Sequence, residues 1–224
     1  MSRTSDAGQA AAMDRMYRFT RHVYDATRRY YLLGRDRMLA QVATAADTAT
    51  LEVGCGTARN LIKLARRPQP GLLCGLDASH EMLETAARSI ARHGVPAAGS
   101  PAILLRHGLA EDLDAARMFG RERPFDTVYF SYCLSMVPTW PAAIEAALAN
   151  LRPGGRMLIV DFWDQADLPR PFAAALKRWL ALFHVEYRPE VHAALEALGR
   201  SGRAAVTFES VARRYAYIAT VVKR

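Results

Sequence analysis

Leu51-Glu52-Val53-Gly54-Cys55-Gly56-Thr57-Ala58-Arg59-Asn60 constrains the fold more than any other stretch of the chain. An apolar run from Thr50 to Val53 meets two glycines spaced by one residue, and helix formers follow from Asn60 to Ala65. The pattern predicts a strand, a tight glycine turn and a helix start. Glycines let the backbone approach a ligand closely, and the first turn of a helix presents unbonded N–H groups. Such a loop suits a nucleotide-like cofactor.

Spacing narrows the choice of cofactor. The dinucleotide fingerprint places Gly at its first, third and sixth positions. Here Arg59 stands sixth, too large for close packing of helix on strand, and no G-x-x-x-x-G-K-[ST] pattern occurs. A second strand-like run, Gly71-Leu72-Leu73-Cys74-Gly75-Leu76-Asp77, ends in an acid. A carboxylate about 20 residues beyond the glycine loop, at the tip of the next strand, is placed to accept both hydroxyls of a ribose. Ala78 and Ser79 follow; Ser79 reads as an N-cap, and Met82 as an apolar neighbour for an adenine ring.

From Thr48 onward strand and helix patterns alternate. Strands are expected at 49–53, 71–77, 102–107, 126–132, 156–162, 204–210 and 213–222. Helices are expected at 59–66, 79–93, 112–118, 141–150, 171–183 and 190–199. Alternation of this kind implies a parallel sheet covered on both faces. The last two strands are joined by a short turn and must run antiparallel. Pro153-Gly154-Gly155 reads as a turn on its own chemistry. The expected fold class is α/β: a Rossmann-like, mostly parallel seven-stranded sheet with a C-terminal antiparallel hairpin, helices on both faces and an N-terminal helical extension. Residues 1–47 are assigned to that extension and 48–224 to the sheet domain.

Composition excludes several classes. At 224 residues, 51% hydrophobic and 23% charged, the chain can bury one α/β core. No apolar run reaches the ~20 residues of a membrane span, and the N-terminus lacks an apolar signal core. The three cysteines, Cys55, Cys74 and Cys133, are scattered. They predict small core fillers in a reducing, cytoplasmic compartment rather than disulfides, metal ligands or nucleophiles. The formal charge of +8 admits an anionic membrane surface or an acidic substrate. Nucleic acid is not expected, because aromatic and basic residues gather in helices with no stacking platform on strands.

Glu52-Val53-Gly54-Cys55-Gly56-Thr57-Ala58 resembles motif I of the class I S-adenosylmethionine (SAM) methyltransferases, with Ala58 where a third glycine is common. The helix–Leu151-Arg152-Pro153-Gly154-Gly155–strand arrangement is similar to a later region of the same family, whose sheet ends in an antiparallel hairpin. Three further phrases resemble bacterial diacylglyceryl-homoserine N-methyltransferases of betaine-lipid synthesis. They are Tyr17 to Arg37, Phe130-Ser131-Tyr132-Cys133-Leu134-Ser135-Met136-Val137-Pro138-Thr139-Trp140, and the tail from Tyr187-Arg188-Pro189-Glu190 to Tyr215-Ala216-Tyr217. One departure concerns adenine. Many small-molecule methyltransferases carry Gly-Asp-Ala after the third strand, whereas this chain has Gly108-Leu109-Ala110-Glu111-Asp112. Leu109 cannot accept a hydrogen bond, so Glu111, Asp112 or a backbone group serves.

The resemblance implies SAM as cofactor, S-adenosylhomocysteine as product, and a lipid headgroup amine methylated three times. The cofactor set it implies is Glu52, Gly54, Cys55, Gly56, Asn60, Asp77, Ala78, Met82, Ala110, Glu111, Ser131, Arg35 and Tyr17. The attacking ammonium must lose a proton, for which His184, Tyr132, Tyr187 and water are candidates. Tyr24, Tyr30, Tyr132 and Tyr187 are candidate rings for a methylated cation, with hydrogen-bonded core tyrosines as the alternative. Tyr17, Tyr24 and Tyr31 recur every seven residues, so a helix puts them on one face as core packing or as a lid. Gly34 ends that helix and Asp36 can start the next. Arg35 or Arg28 could pair a carboxylate. Phe172, Leu176, Trp179, Leu180 and Phe183 form an apolar face that either packs on the sheet or lies in a headgroup layer. A peripheral position at the inner face of the cell membrane follows from the lipid reading. The alternatives are methylation of another small acceptor, such as a quinone precursor or phospholipid amine, and a non-catalytic SAM-binding module.

Overall fold

The computed structural model describes residues 32–94, 103–181 and 187–224. Its seven strands are β1 (Ala49–Val53), β2 (Leu72–Asp77), β3 (Ile103–His107), β4 (Phe125–Ser131), β5 (Leu151–Phe162), β6 (Ala204–Val211) and β7 (Ala216–Lys223). They form one sheet in the order β3-β2-β1-β4-β5-β7-β6. β1 to β5 pair in parallel, while β7 runs antiparallel to both β5 and β6. The helices are α1 (Arg35–Ala40), α2 (Arg59–Ala65), α3 (His80–Arg92), α4 (Ala115–Phe119), α5 (Trp140–Ala149), α6 (Arg170–Ala181) and α7 (Pro189–Arg200). The expected mixed sheet with its terminal hairpin is present.

Period-two alternation divides the core into two layers. Leu51, Val53, Val128, Phe130, Met157 and Ile159 face one side, with Ala115, Ile144 and Leu195 of α4, α5 and α7. Tyr129, Leu158, Val160 and Phe162 face the other, with Met38, Leu61 and Ala86 of α1, α2 and α3. Parallel crossovers are right-handed. The chain therefore lays α2 and α3 on one face while moving outward from β1, and α4 and α5 on the opposite face once it returns to β4. Strand order reverses between β1 and β4, and ligands of open α/β sheets bind at the carboxyl ends of strands at such a reversal.

Several boundaries differ from the sequence reading. β5 begins at Leu151, so Pro153-Gly154-Gly155 lies within the strand as a distortion: Gly154 has φ 73°, and the β4–β5 register shifts between Phe125 and Thr127. The helix expected at 112–118 divides into a 3-10 turn, Ala110–Asp112, and α4, because Asp114 caps a new start by accepting from Arg117 N. β7 begins only at Ala216, since Ala212, Arg213 and Arg214 are all left-handed. α1 is capped by left-handed Gly34 rather than by Asp36, which stands in its first turn and pairs with Lys63 at 2.7 Å. Met38, Leu39 and Val42 are buried in the sheet core, so α1 is integral to it.

Candidate active site

The glycine loop is held by the strand beside it. Gly54 N and Cys55 N both donate to Leu76 O, at 2.8 and 3.0 Å. Gly54, Gly56 and Ala58 have φ of 70°, 52° and 60°. Two glycines meet that demand without strain, and Ala58 meets it as a fully buried residue with the smallest side chain available. A Cβ on Gly54 would lie 2.8 Å from Cys133 Cβ, so this glycine is required by contact with β4's extension as well as by its dihedral.

Asp77, at the tip of β2, is clamped across the loop. Its Oδ2 accepts from Gly56 N at 2.7 Å and its Oδ1 from Ser79 N at 2.9 Å. Ser79 caps α3 through Met82 N, as the sequence predicts. The carboxylate stands in the wall of a pocket with Val53, Leu76, Ala78 and Met82. Ala110 and Glu111 also line this pocket. Asp112 is not among its walls; its carbonyl accepts from Arg117 Nη2.

A wall that sequence reasoning did not assign to the cofactor closes the far side: Cys133, Met136, Val137, Pro138 and Thr139. Asp161, buried at the end of β5, positions this wall by accepting from Ser135 N at 3.1 Å. Arg188 ties the same turn from outside through Ser135 O. Burial pushes the Asp161 carboxyl up to about 6. The signal for Asp161 is an acid following four apolar strand residues, Met157 to Val160.

On the other side of Gly54 a polar recess brings together Leu32, Arg35, Glu52, Cys55, Asn60 and Ser131. Glu52 alternates onto the α2 face of the sheet. Its Oε1 accepts from Asn60 Nδ2 at 2.6 Å and its Oε2 from Tyr129 O–H at 3.1 Å. Burial raises its carboxyl to about 8 against those bonds. Tyr129 is a site residue that the sequence reading missed; the signal was its place in β4 beside Glu52, a pairing visible only once strand order is known.

The candidate chemistry on side chains is distributed differently. Tyr132 is buried, left-handed at φ 55°, and donates its hydroxyl to Leu33 O. Its ring packs edge-on against Phe162. It is not among the lining residues of either pocket. Tyr187 is half-buried outside both walls, and burial raises its phenol above the ordinary value. Tyr17, Tyr24, Arg28, Tyr30, Tyr31 and His184 lie outside the described residues. Cys55, Cys74 and Cys133 are buried free thiols, and burial pushes Cys74 up to about 12 and the other two well above their ordinary value. That holds them protonated, as core fillers should be.

The two pockets fit one donor by chemistry. An apolar slot and the strand-tip carboxylate of Asp77 lie on one side of Gly54. A cation, Arg35, and a buried carboxyl that burial keeps largely protonated, Glu52, lie on the other, with polar groups suited to an amino acid end. Residues 50–155 match the model of a methyltransferase domain. Over that stretch the chain carries a methyltransferase domain, and its fold is that of SAM-dependent methyltransferases. This domain shares its fold with the plantazolicin methyltransferase BpumL, solved with S-adenosylhomocysteine (TM-score 0.68, 10% identity, 99% of this chain and 98% of that one). A SAM-dependent methyltransferase from Aquifex aeolicus is also similar (TM-score 0.61, 16% identity, 88% and 93%). A phosphatidylethanolamine N-methyltransferase from Cereibacter sphaeroides is 31% identical over 148 residues, spanning 66% of this chain and 65% of that protein's length. Among the described residues no helix is long and apolar enough to cross a membrane.

Proposed function

We propose that the protein N-methylates a lipid amine, and that its acceptor is diacylglyceryl homoserine, carried through three methylations to the betaine lipid. The observation that carries this reading is the likeness to a protein named as a phosphatidylethanolamine N-methyltransferase. The resemblance of three phrases to the homoserine-lipid enzymes supports this acceptor. The reading places the protein in the cytoplasm at the inner face of the cell membrane, with residues 1–47 as an extension over the site.

Bound SAM supplies an electrophilic methyl on a sulfonium, and S-adenosylhomocysteine leaves. The chain's work is alignment and exclusion of water. Asp77 fixes the ribose, the apolar slot holds the purine, and Arg35 and Glu52 orient the amino acid end. The ammonium first gives its proton to water or His184. The free amine nitrogen then forms its bond to the methyl carbon as the carbon–sulfur bond breaks, and Tyr187, a phenol held protonated by burial, is no acceptor. The buried thiols take no part. Tyr132, with its hydroxyl given to Leu33 O, serves as a support.

Phosphatidylethanolamine itself is the second reading, favoured by the Cereibacter relative. Mass spectrometry of products from purified protein, SAM and each lipid in mixed micelles separates the two. Successive gains of three methyls on the homoserine lipid support the proposal. Methylation of phosphatidylethanolamine alone favours the second reading, and modification of neither rejects both.

A further inference from the structure

Beside the donor recess lies a larger cavity, about 490 Å³, between α1, α2 and the end of α3. Among the described residues its charged lining is Arg35, Arg59, Lys63 and Arg66 with the carboxylate Asp36, and His93 and Ser89 stand at the α3 end. Asp36 is paired with Lys63, so the balance of the lining is cationic. Arg59, Lys63 and Arg66 are spaced by four and three residues along one side of the chain from α2 into its C-cap, and all three are exposed. Arg88 and Arg92 extend the same charge along α3 and are exposed as well. The cavity is continuous with the donor recess, because Arg35, Thr57, Arg59 and Asn60 belong to both.

We infer that this cavity is a binding site for the phosphate of an anionic phospholipid headgroup, and that it seats the rim of the donor site against the bilayer. A phosphodiester matches several cations arranged around a concave wall, with Arg59 and Arg66 as forked donors and Lys63 as a point charge. A lipid source fits better than a soluble one because the stripe is open along α2 and continues onto α3, a surface rather than a closed pocket. Each cation near an anionic surface adds roughly a factor of five to membrane affinity. The site rests on the lipid-amine reading but is separable from it in experiment, since Lys63 and Arg66 lie outside the donor recess.

The test uses the full chain and the variant Lys63→Gln/Arg66→Gln, which leaves Arg35 and Arg59 of the donor recess untouched. Cosedimentation is measured with vesicles of phosphatidylcholine alone and of phosphatidylcholine with phosphatidylglycerol, alongside SAM affinity as a folding control. The wild type should bind the phosphatidylglycerol vesicles selectively, and the variant should bind them on the order of tenfold or more weakly with SAM affinity unchanged. Arg66→Gln alone, which keeps the Lys63–Asp36 pair, should show part of the loss and covers failure of the double variant to fold. Equal vesicle binding by wild type and variants overturns the inference. So does saturable binding of inorganic phosphate that blocks the vesicles at equal ionic strength, or retention of RNA in place of vesicles. Methyl transfer to lipid in detergent micelles is assayed separately, so a wrong acceptor and a wrong docking site give different results.

Discussion

Gly56 N donates to Asp77 Oδ2 at 2.7 Å, joining the glycine loop after β1 to the acid at the tip of β2. In the proposed reading, the bond sets the carboxylate where a ribose would meet it and the loop beside the path of the sulfonium side chain. Loop and acid are thus one device, and a change in either is felt by both.

Asp77→Ala removes the ribose acceptor and loosens Gly56 and Ser79 together. SAM affinity should fall about 30-fold or more, roughly 2 kcal/mol, as read by calorimetric titration. Asp77→Asn keeps one acceptor oxygen and should lose less. Equal affinity in all three proteins would remove Asp77 from the site.

Glu52 carries a pH signature in stability. Its carboxyl ordinarily titrates near 4.5 and is raised to about 8 in the folded chain. Between these values the folded protein holds a proton that the unfolded chain has released, so this group's contribution falls as pH rises, until about 8. Glu52→Gln stays neutral and can still accept from Asn60. The melting temperature of the wild type should therefore drop relative to that of Glu52→Gln on going from pH 5 to 8. Parallel melting curves across that range would show that the acid is not held protonated by burial.

Gly54 and Gly94 separate two costs of a side chain. Both are left-handed, at φ 70° and 66°, but a Cβ at Gly94 meets nothing within 4 Å whereas one at Gly54 meets Cys133. Gly94→Ala should lose about 1 kcal/mol, and Gly54→Ala several times that together with SAM binding. Thermal melts and a SAM titration check both, and similar small losses would mean that the loop yields freely.

Tyr132→Phe tests the reassignment of that residue from chemistry to support. Loss of the bond to Leu33 O should cost about 1 kcal/mol in stability and leave the turnover number within a few-fold of wild type. A hundredfold loss with an altered pH profile would restore it to the reaction.

Much of this was legible in the chain because it is local. Glu52 to Ala58, Asp77 and Ser79 announce themselves by residue type and spacing, and the alternation of elements yields the sheet. What escaped depends on distant packing. Tyr129 reaches Glu52 only because β4 lies beside β1, and the Met136 to Thr139 wall reaches the pocket only because Asp161 and Arg188 hold its turn. Tyr132 is alike: its place beside the site is legible, but not that a backbone carbonyl nearly a hundred residues away in sequence takes its hydroxyl. The need for Gly54 was legible, but not its neighbour Cys133.

The account depends first on where the donor binds. A crystal structure with S-adenosylhomocysteine tests this directly. The prediction is an adenosyl group between Met82 and Val137, its ribose on Asp77, with the amino acid end passing Gly54 toward Arg35 and Glu52. An adenosyl group seated away from the tips of β1 and β2, with Asp77 making no contact to it, would contradict the account.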